Sequence, residues 1–188
     1  MKASFAFANL CGTVYQQGNV ILHDAPEGTL LLSPVGNRLS IFNLTTNHAT
    51  TLPFQTRRPI RRIAQSPQQA DIVLAADEDG HALLANVRAR VTLAHIHFKA
   101  PVRDAAFSPD GRFLAITHGN RVQVWRTPNA LARDFAPFVL HHTYTGHVAD
   151  VLSIRWSKDG RYVARQTRRP LSFSFPFDAK DALYEKLI

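Results

Sequence analysis

Three copies of one turn fix what this chain can fold into. Ser66-Pro67-Gln68-Gln69, Ser108-Pro109-Asp110-Gly111-Arg112 and Ser157-Lys158-Asp159-Gly160-Arg161 recur 42 and then 49 residues apart. Each copy follows alternating apolar residues (Ile60 and Ile63; Val102, Ala105 and Phe107; Val151, Ile154 and Trp156). Each also precedes a second apolar run, at residues 72–75, 113–116 and 162–164. Two such runs joined by a tight Asp-Gly turn read as a β-hairpin. A second turn and a third strand extend each unit: Val35-Gly36-Asn37-Arg38 leads into 39–42, Asp77-Glu78-Asp79-Gly80 into 82–85, and His118-Gly119-Asn120-Arg121 into 122–125. The equivalent closing positions Phe42, Ala85 and Trp125 lie 43 and 40 residues apart, so two independent landmarks give the period. Repeats of roughly 40–45 residues with this turn chemistry are blades of a WD-repeat β-propeller. The predicted fold is all-β, about four blade units of an incomplete ring.

Within that reading, particular residues carry structural roles. Gly146-His147, followed by Trp156 and Asp159-Gly160, is the clearest single blade; Asp110 and Gly111 form the equivalent turn in the preceding unit, which Trp125 closes. The His147 imidazole suits buried polar groups of a neighbouring strand, and a large ring suits the gap between blades. A His near an Asp also suits acid–base chemistry, but no Ser or Cys nucleophile stands at a telling spacing, so the chain is read as non-enzymatic. His141-His142 and His147 lack the acidic or thiolate company of a metal site. No metal and no cofactor are expected.

Composition narrows the partners. Lys and Arg total 22 against 14 Asp and Glu, a net charge of +8 with a pI near 10.2. Such a field attracts polyanions. Cys11 is the only cysteine, so neither an intrachain disulfide nor a thiolate cage can form. The opening residues 1–7 lack the apolar core of a signal peptide, and no stretch approaches about 18 apolar residues. Membrane and secretory roles are therefore not expected, nor is a small-molecule substrate. Asn43-Leu44-Thr45 fits a glycosylation acceptor, which means nothing outside the secretory pathway.

Arg57-Arg58 and Arg61-Arg62 flank Pro59 in the link into the second unit, and Arg168-Arg169 stand near the end. Arginines on a propeller rim are candidate phosphate or RNA contacts, set against the plainer reading of a solvated loop. Gln55-Thr56-Arg57-Arg58-Pro59 recurs as Gln166-Thr167-Arg168-Arg169-Pro170, without an evident physical reason. The aromatics are mostly taken up by strands, so direct base reading is not indicated.

Beyond generic repeats, Phe5-Ala6-Phe7-Ala8-Asn9-Leu10-Cys11-Gly12-Thr13-Val14-Tyr15, Gly18-Asn19 and above all Ser33-Pro34-Val35-Gly36-Asn37-Arg38-Leu39-Ser40-Ile41-Phe42 resemble the opening of the periodic tryptophan protein 2 family. Asp77–Leu84, His95–Lys99 and Phe135–Val139 add to the resemblance, which covers about residues 1 to 164. It implies a scaffold without active site or cofactor, located in the nucleus and nucleolus. There it would belong to a WD-repeat subcomplex of the small-subunit processome that assists processing of the small-subunit rRNA precursor. The implied partners are other WD-repeat processome proteins, with pre-ribosomal RNA or snoRNP nearby.

Family members are several times longer, with two propellers and a helical region. Here residues 1–164 read as a partial propeller and 165–188 as a degenerate strand with a short helical tail. Leu171–Phe177 alternates strictly, as a half-buried strand does, and spacing from the third unit puts its closing aromatic at Ser174 or Phe175. The stretch from Arg126 to Tyr144, with Pro128 and Pro137, reads as an insertion between blades. Four units leave the first and last faces open. The chain is then a truncated product, a mis-joined gene model, or a half-propeller that another chain completes. The competing functions are a ribosome-assembly scaffold, a generic protein-interaction adaptor, and a fragment without a function of its own.

Overall fold

A computed structural model describes residues 18–26, 28–128, 138–145, 148–167 and 172–176, the last five by their backbone alone. It contains four antiparallel sheets in succession, each strand paired with the next along the chain. The first comprises β1 (Ile21–Ala25), β2 (Gly28–Val35), β3 (Arg38–Asn43) and β4 (His48–Gln55). The second comprises β5 (Ile60–Gln65), β6 (Ile72–Asp77), β7 (His81–Asn86) and β8 (Val91–His97). The third comprises β9 (Asp104–Phe107), β10 (Phe113–His118), β11 (Arg121–Arg126) and β12 (Val139–Tyr144). The fourth holds β13 (Val151–Trp156), β14 (Tyr162–Thr167) and β15 (Ser172–Pro176). These are blades of a WD-type β-propeller whose ring is not closed.

The repeated turns close the hairpins as their chemistry requires. In the third blade the Ser108 hydroxyl donates to the Asp110 carboxylate, and the Phe113 N–H donates back to Ser108 Oγ at 3.0 Å. The fourth blade repeats this with Ser157 Oγ to Asp159 at 2.6 Å and the Tyr162 N–H to Ser157 Oγ at 2.9 Å. Gly111 and Gly160 follow at φ of 67° and 72°, left-handed conformations that a side chain would strain. The Ser157 hydroxyl, and after it the Arg161 N–H, hold the exposed Asp159 carboxyl below the usual carboxylate range. A lowered folded value stabilises the turn above the ordinary carboxylate pKa, and that contribution is lost as pH falls through the folded value. Ser157→Ala is expected to move the Asp159 titration up toward its ordinary midpoint, read by NMR of the carboxyl carbon. An unmoved midpoint would remove the hydroxyl as the cause.

Packing between blades makes the core. Leu32, Leu39 and Ile41 of the first blade meet Ile63, Val73 and Leu83 of the second. Leu74, Leu84 and Phe98 meet Phe107, Leu114 and Ile116 between the second and third. Ala115, Val122 and Val124 meet Val151, Ile154 and Val163 between the third and fourth. Alternate residues of one strand thus serve the two neighbouring interfaces.

One expectation changes. Residues 139–144 are not insertion but β12, the outer strand of the third blade, in register with β11 from Arg126↔Val139 to Val122↔Tyr144. Its residues are exposed or half-buried, so it has no apolar alternation to announce it. The β1–β2 hairpin carries no copy of the Ser-Pro-Asp-Gly sequence between its strands. At the other end β14 runs through Thr167 and β15 pairs with it, setting Phe175 opposite Val163. That register matches Leu31↔Phe42, Val73↔Ala85 and Leu114↔Trp125 in the first three blades. The expected helical tail lies outside the described residues.

Candidate functional site

Propeller topology gathers half of the connections at one end of the strands. The links after β4, β8 and β12 emerge there, beside the turns between β2 and β3, β6 and β7, and β10 and β11. Backbone bonds stitch links to turns: Ile60 N–H to Gly36 O (2.8 Å), Phe98 N–H to Gly80 O (2.9 Å) and Val151 N–H to Gly119 O (2.8 Å). Buried Asp77 pins its own turn, accepting from the N–H groups of Asp79 (3.0 Å) and His81 (2.9 Å).

This face is basic. Arg38, Arg57, Arg58, Arg61, Lys99, Arg103 and Arg121 are exposed on it, against Glu78, Asp79 and Asp150. Arg58 lies 3.3 Å from Asp79, Arg61 3.6 Å from Glu78, and Arg103 2.9 Å from Asp150. Exposed pairs of this kind are worth about 0–1 kcal/mol, so a phosphate can compete for these arginines. Of the four arginines around Pro59, Arg57, Arg58 and Arg61 are on the surface and Arg62 is not part of it. Arg168 and Arg169 lie outside the described residues.

Arg62 instead enters a polar network along the innermost strands. Its Nε and Nη2 each donate at 2.7 Å to Asp104 Oδ1, and that carboxylate is only 1% exposed. The same Oδ1 accepts the Ala105 N–H at 2.8 Å, while Oδ2 accepts the Ile154 N–H at 3.0 Å and Arg155 Nη1 at 3.1 Å. Asn19, Arg62, Asp104 and Ser153 occupy one register position, three residues before Leu22, Gln65, Phe107 and Trp156. Asn19 bonds both ways with the Ile63 backbone, at 2.9 Å each. Each of the first three blades therefore reaches its successor from this position. Asp104 is the residue sequence reasoning missed; nothing local marks it, since its partners stand 42 and 50 residues away.

The residues expected to be structural fall as follows. Asp110, Gly111, Asp159 and Gly160 make the hairpin turns already described. Trp125 packs between the second and third blades, edge-on to Phe98 with centroids 5.5 Å apart. Trp156 crosses from the fourth blade to the third, its Nε1–H donating to Ala106 O at 3.0 Å. Gly146 and His147 lie outside the described residues. Among the described residues no group of three or more His, Cys, Asp or Glu is arranged to hold a metal, and no helix is long and apolar enough to cross a membrane.

Sheet order, hairpin turns and blade packing together define a WD-repeat protein, and the WD domain, G-beta repeat model matches residues 89–126 and 138–164. The chain is 47% identical over 163 residues to the periodic tryptophan protein 2 homolog of Schizosaccharomyces pombe, covering 86% of this chain and 19% of that protein. It is 49% identical over 168 residues to the homolog of Neurospora crassa, covering 86% and 18%. Against periodic tryptophan protein 2 of Saccharomyces cerevisiae it is 44% identical over 164 residues, covering 87% and 17%. The chain belongs to the periodic tryptophan protein 2 family, and it spans less than a fifth of the length of these relatives.

Proposed function

We propose that the chain acts as a non-enzymatic scaffold in ribosome assembly. In this reading it sits in the nucleolus as part of a small-subunit processome subcomplex, beside other WD-repeat proteins and pre-ribosomal RNA. Family membership supports it, and the observation that carries it is the basic face, where among the described residues seven exposed cations stand on one end of the blades against three carboxylates. Arg57, Arg58 and Arg61 stand on and beside the link between the first two blades. The face suits backbone phosphate rather than base edges, because among the described residues it offers charge and no open row of aromatic rings.

Salt tests this reading. Single-stranded RNA binding weakens with salt at a slope of about −0.7 per phosphate neutralised, so four contacts imply a loss of about fiftyfold between about 50 and 200 mM salt. Titrating pre-ribosomal RNA with the 188-residue chain should show that fall. Replacing Arg57 and Arg58 by glutamine should flatten the slope by about 1.4, two contacts' worth. Undetectable binding at low salt sinks the proposal. Binding to protein partners that ignores salt favours the adaptor reading, in which apolar blade surface makes the contact.

A further inference from the structure

The four blades serve as controls for one another, and the third departs from the pattern at one place. On β7 the residues facing the first blade are Leu83 and Ala85, both buried in an apolar interface. Register puts Gln123 and Trp125 at the same positions on β11, facing the second blade. His118 likewise stands where the second blade has Asp77, whose carboxylate is fully engaged. In the third blade Gln123 Oε1, Trp125 Nε1 and His118 Nε2 are buried with no hydrogen-bond partner. All three residues line one cleft between these blades, of about 810 Å³. Buried polar atoms left unpaired cost about 1–3 kcal/mol each, so three around one cleft call for a ligand that supplies both donors and acceptors.

We propose that this cleft takes an extended, acidic peptide segment of a partner protein. This goes beyond the proposed RNA contact: it rests on His118, Gln123 and Trp125, and shares Lys99 and Arg121 with the basic face. Trp125 Nε1 can only donate and Gln123 Oε1 can only accept, so the ligand must present a carbonyl and an N–H, which every peptide unit does. The two residues sit at alternate positions of one strand, about 6.8 Å apart, the repeat of an extended peptide lying alongside. The terminal Gln123 torsion is broad, so its amide turns into the cleft without rearranging the strand. Phe98, Pro101 and Leu140 supply apolar wall for one side chain. Lys99 and Arg121 stand at the rim and form no ion pair among the described residues, which sets the flanking ligand charge as negative. RNA suits the cleft less well, because the Trp125 ring is half-buried with its edge against Phe98 and offers no open stacking face.

The test is to pan a library of random nine-residue peptides displayed on phage against the whole chain, in parallel with Gln123→Leu. That substitution installs the residue found in the second blade, so it should fold at least as well, which a thermal melt checks. Enriched peptides should carry an apolar residue flanked by Asp or Glu and lose at least about tenfold in affinity for Gln123→Leu. Lys99→Glu with Arg121→Glu should abolish enrichment of acidic peptides while leaving the melt in place. The proposal is overturned if no peptide is enriched, if enriched peptides bind Gln123→Leu equally well, or if an oligouridylate displaces them. An ordered water satisfying the three atoms gives the first of these results. Loss of RNA binding with retained peptide selection would sink the proposed function and leave this inference standing.

Discussion

Asp104→Ala is expected to lower the unfolding free energy of the chain by about 3 kcal/mol, the largest single effect of any polar substitution here. The carboxylate is 1% exposed and holds groups from three blades: Arg62 of the second, the Ala105 N–H of its own, and the Ile154 N–H with Arg155 of the fourth. Removing it leaves two backbone N–H groups unpaired and strands the Arg62 guanidinium, itself only 25% exposed. Arg155 adds little, since its side chain is 68% exposed and water replaces the lost bond. Urea unfolding of Asp104→Ala beside Arg155→Ala separates the two contributions, the second substitution costing less than about 0.5 kcal/mol. Asp104→Asn should fall between, because it keeps one acceptor oxygen and loses the charge. A cost for Asp104→Ala below about 1 kcal/mol would mean that the blades are held by apolar packing alone.

Asp104 also shows where sequence reading stops. A hairpin turn is local chemistry: Ser, Asp and Gly within a few residues form the bonds that make it, so the copies at Ser108 and Ser157 announce themselves. Asp104 stands between Arg103 and Ala105 in a stretch without motif, and its meaning depends on residues brought near only by stacking of blades. The basic face was legible in part, since Arg57, Arg58 and Arg61 were singled out. The inward turn of Arg62 was not, because strand alternation alone leaves open which neighbour a side chain meets.

The outer strands were hidden for a different reason. Each blade packs its inner three strands between neighbours, while the fourth strand lies at the rim, where burial no longer selects apolar residues at every second position. In β8 exposed Val91 and Leu93 alternate with half-buried Thr92, Ala94 and Ile96, so apolar residues stand on both faces and no clean alternation marks the strand. In β4 Pro53 would argue against a central strand, but an edge strand tolerates it because no further strand needs its N–H. The repeated pentapeptide acquires a partial account: Gln55 ends β4 and leads into a link between blades, whereas Gln166-Thr167 end β14 and lead toward β15. The two copies occupy different places in their blades, so their likeness is not one of repeat position.

Leu114→Ala should cost about 3–5 kcal/mol, more than the same truncation at the exposed Leu22 by nearly that whole amount. Leu114 is 0% exposed against 63% for Leu22, although both are strand leucines. It pairs with Phe107 and Trp125 across its own sheet and belongs to the cluster that joins Leu74, Leu84 and Phe98 to the third blade. Each blade is fixed by its own hydrogen-bonded strands, so neither sheet can bend to fill the cavity left by three lost carbons, and the transfer and cavity costs add. Hydrogen exchange gives the sharper readout. Amides of Leu74, Leu84 and Ile116 should lose protection, while those of Leu32 and Ile41, packed in the interface between the first two blades, should keep theirs. Uniform loss along the chain would show instead that the four blades unfold as one unit, with the interface between any two serving all of them.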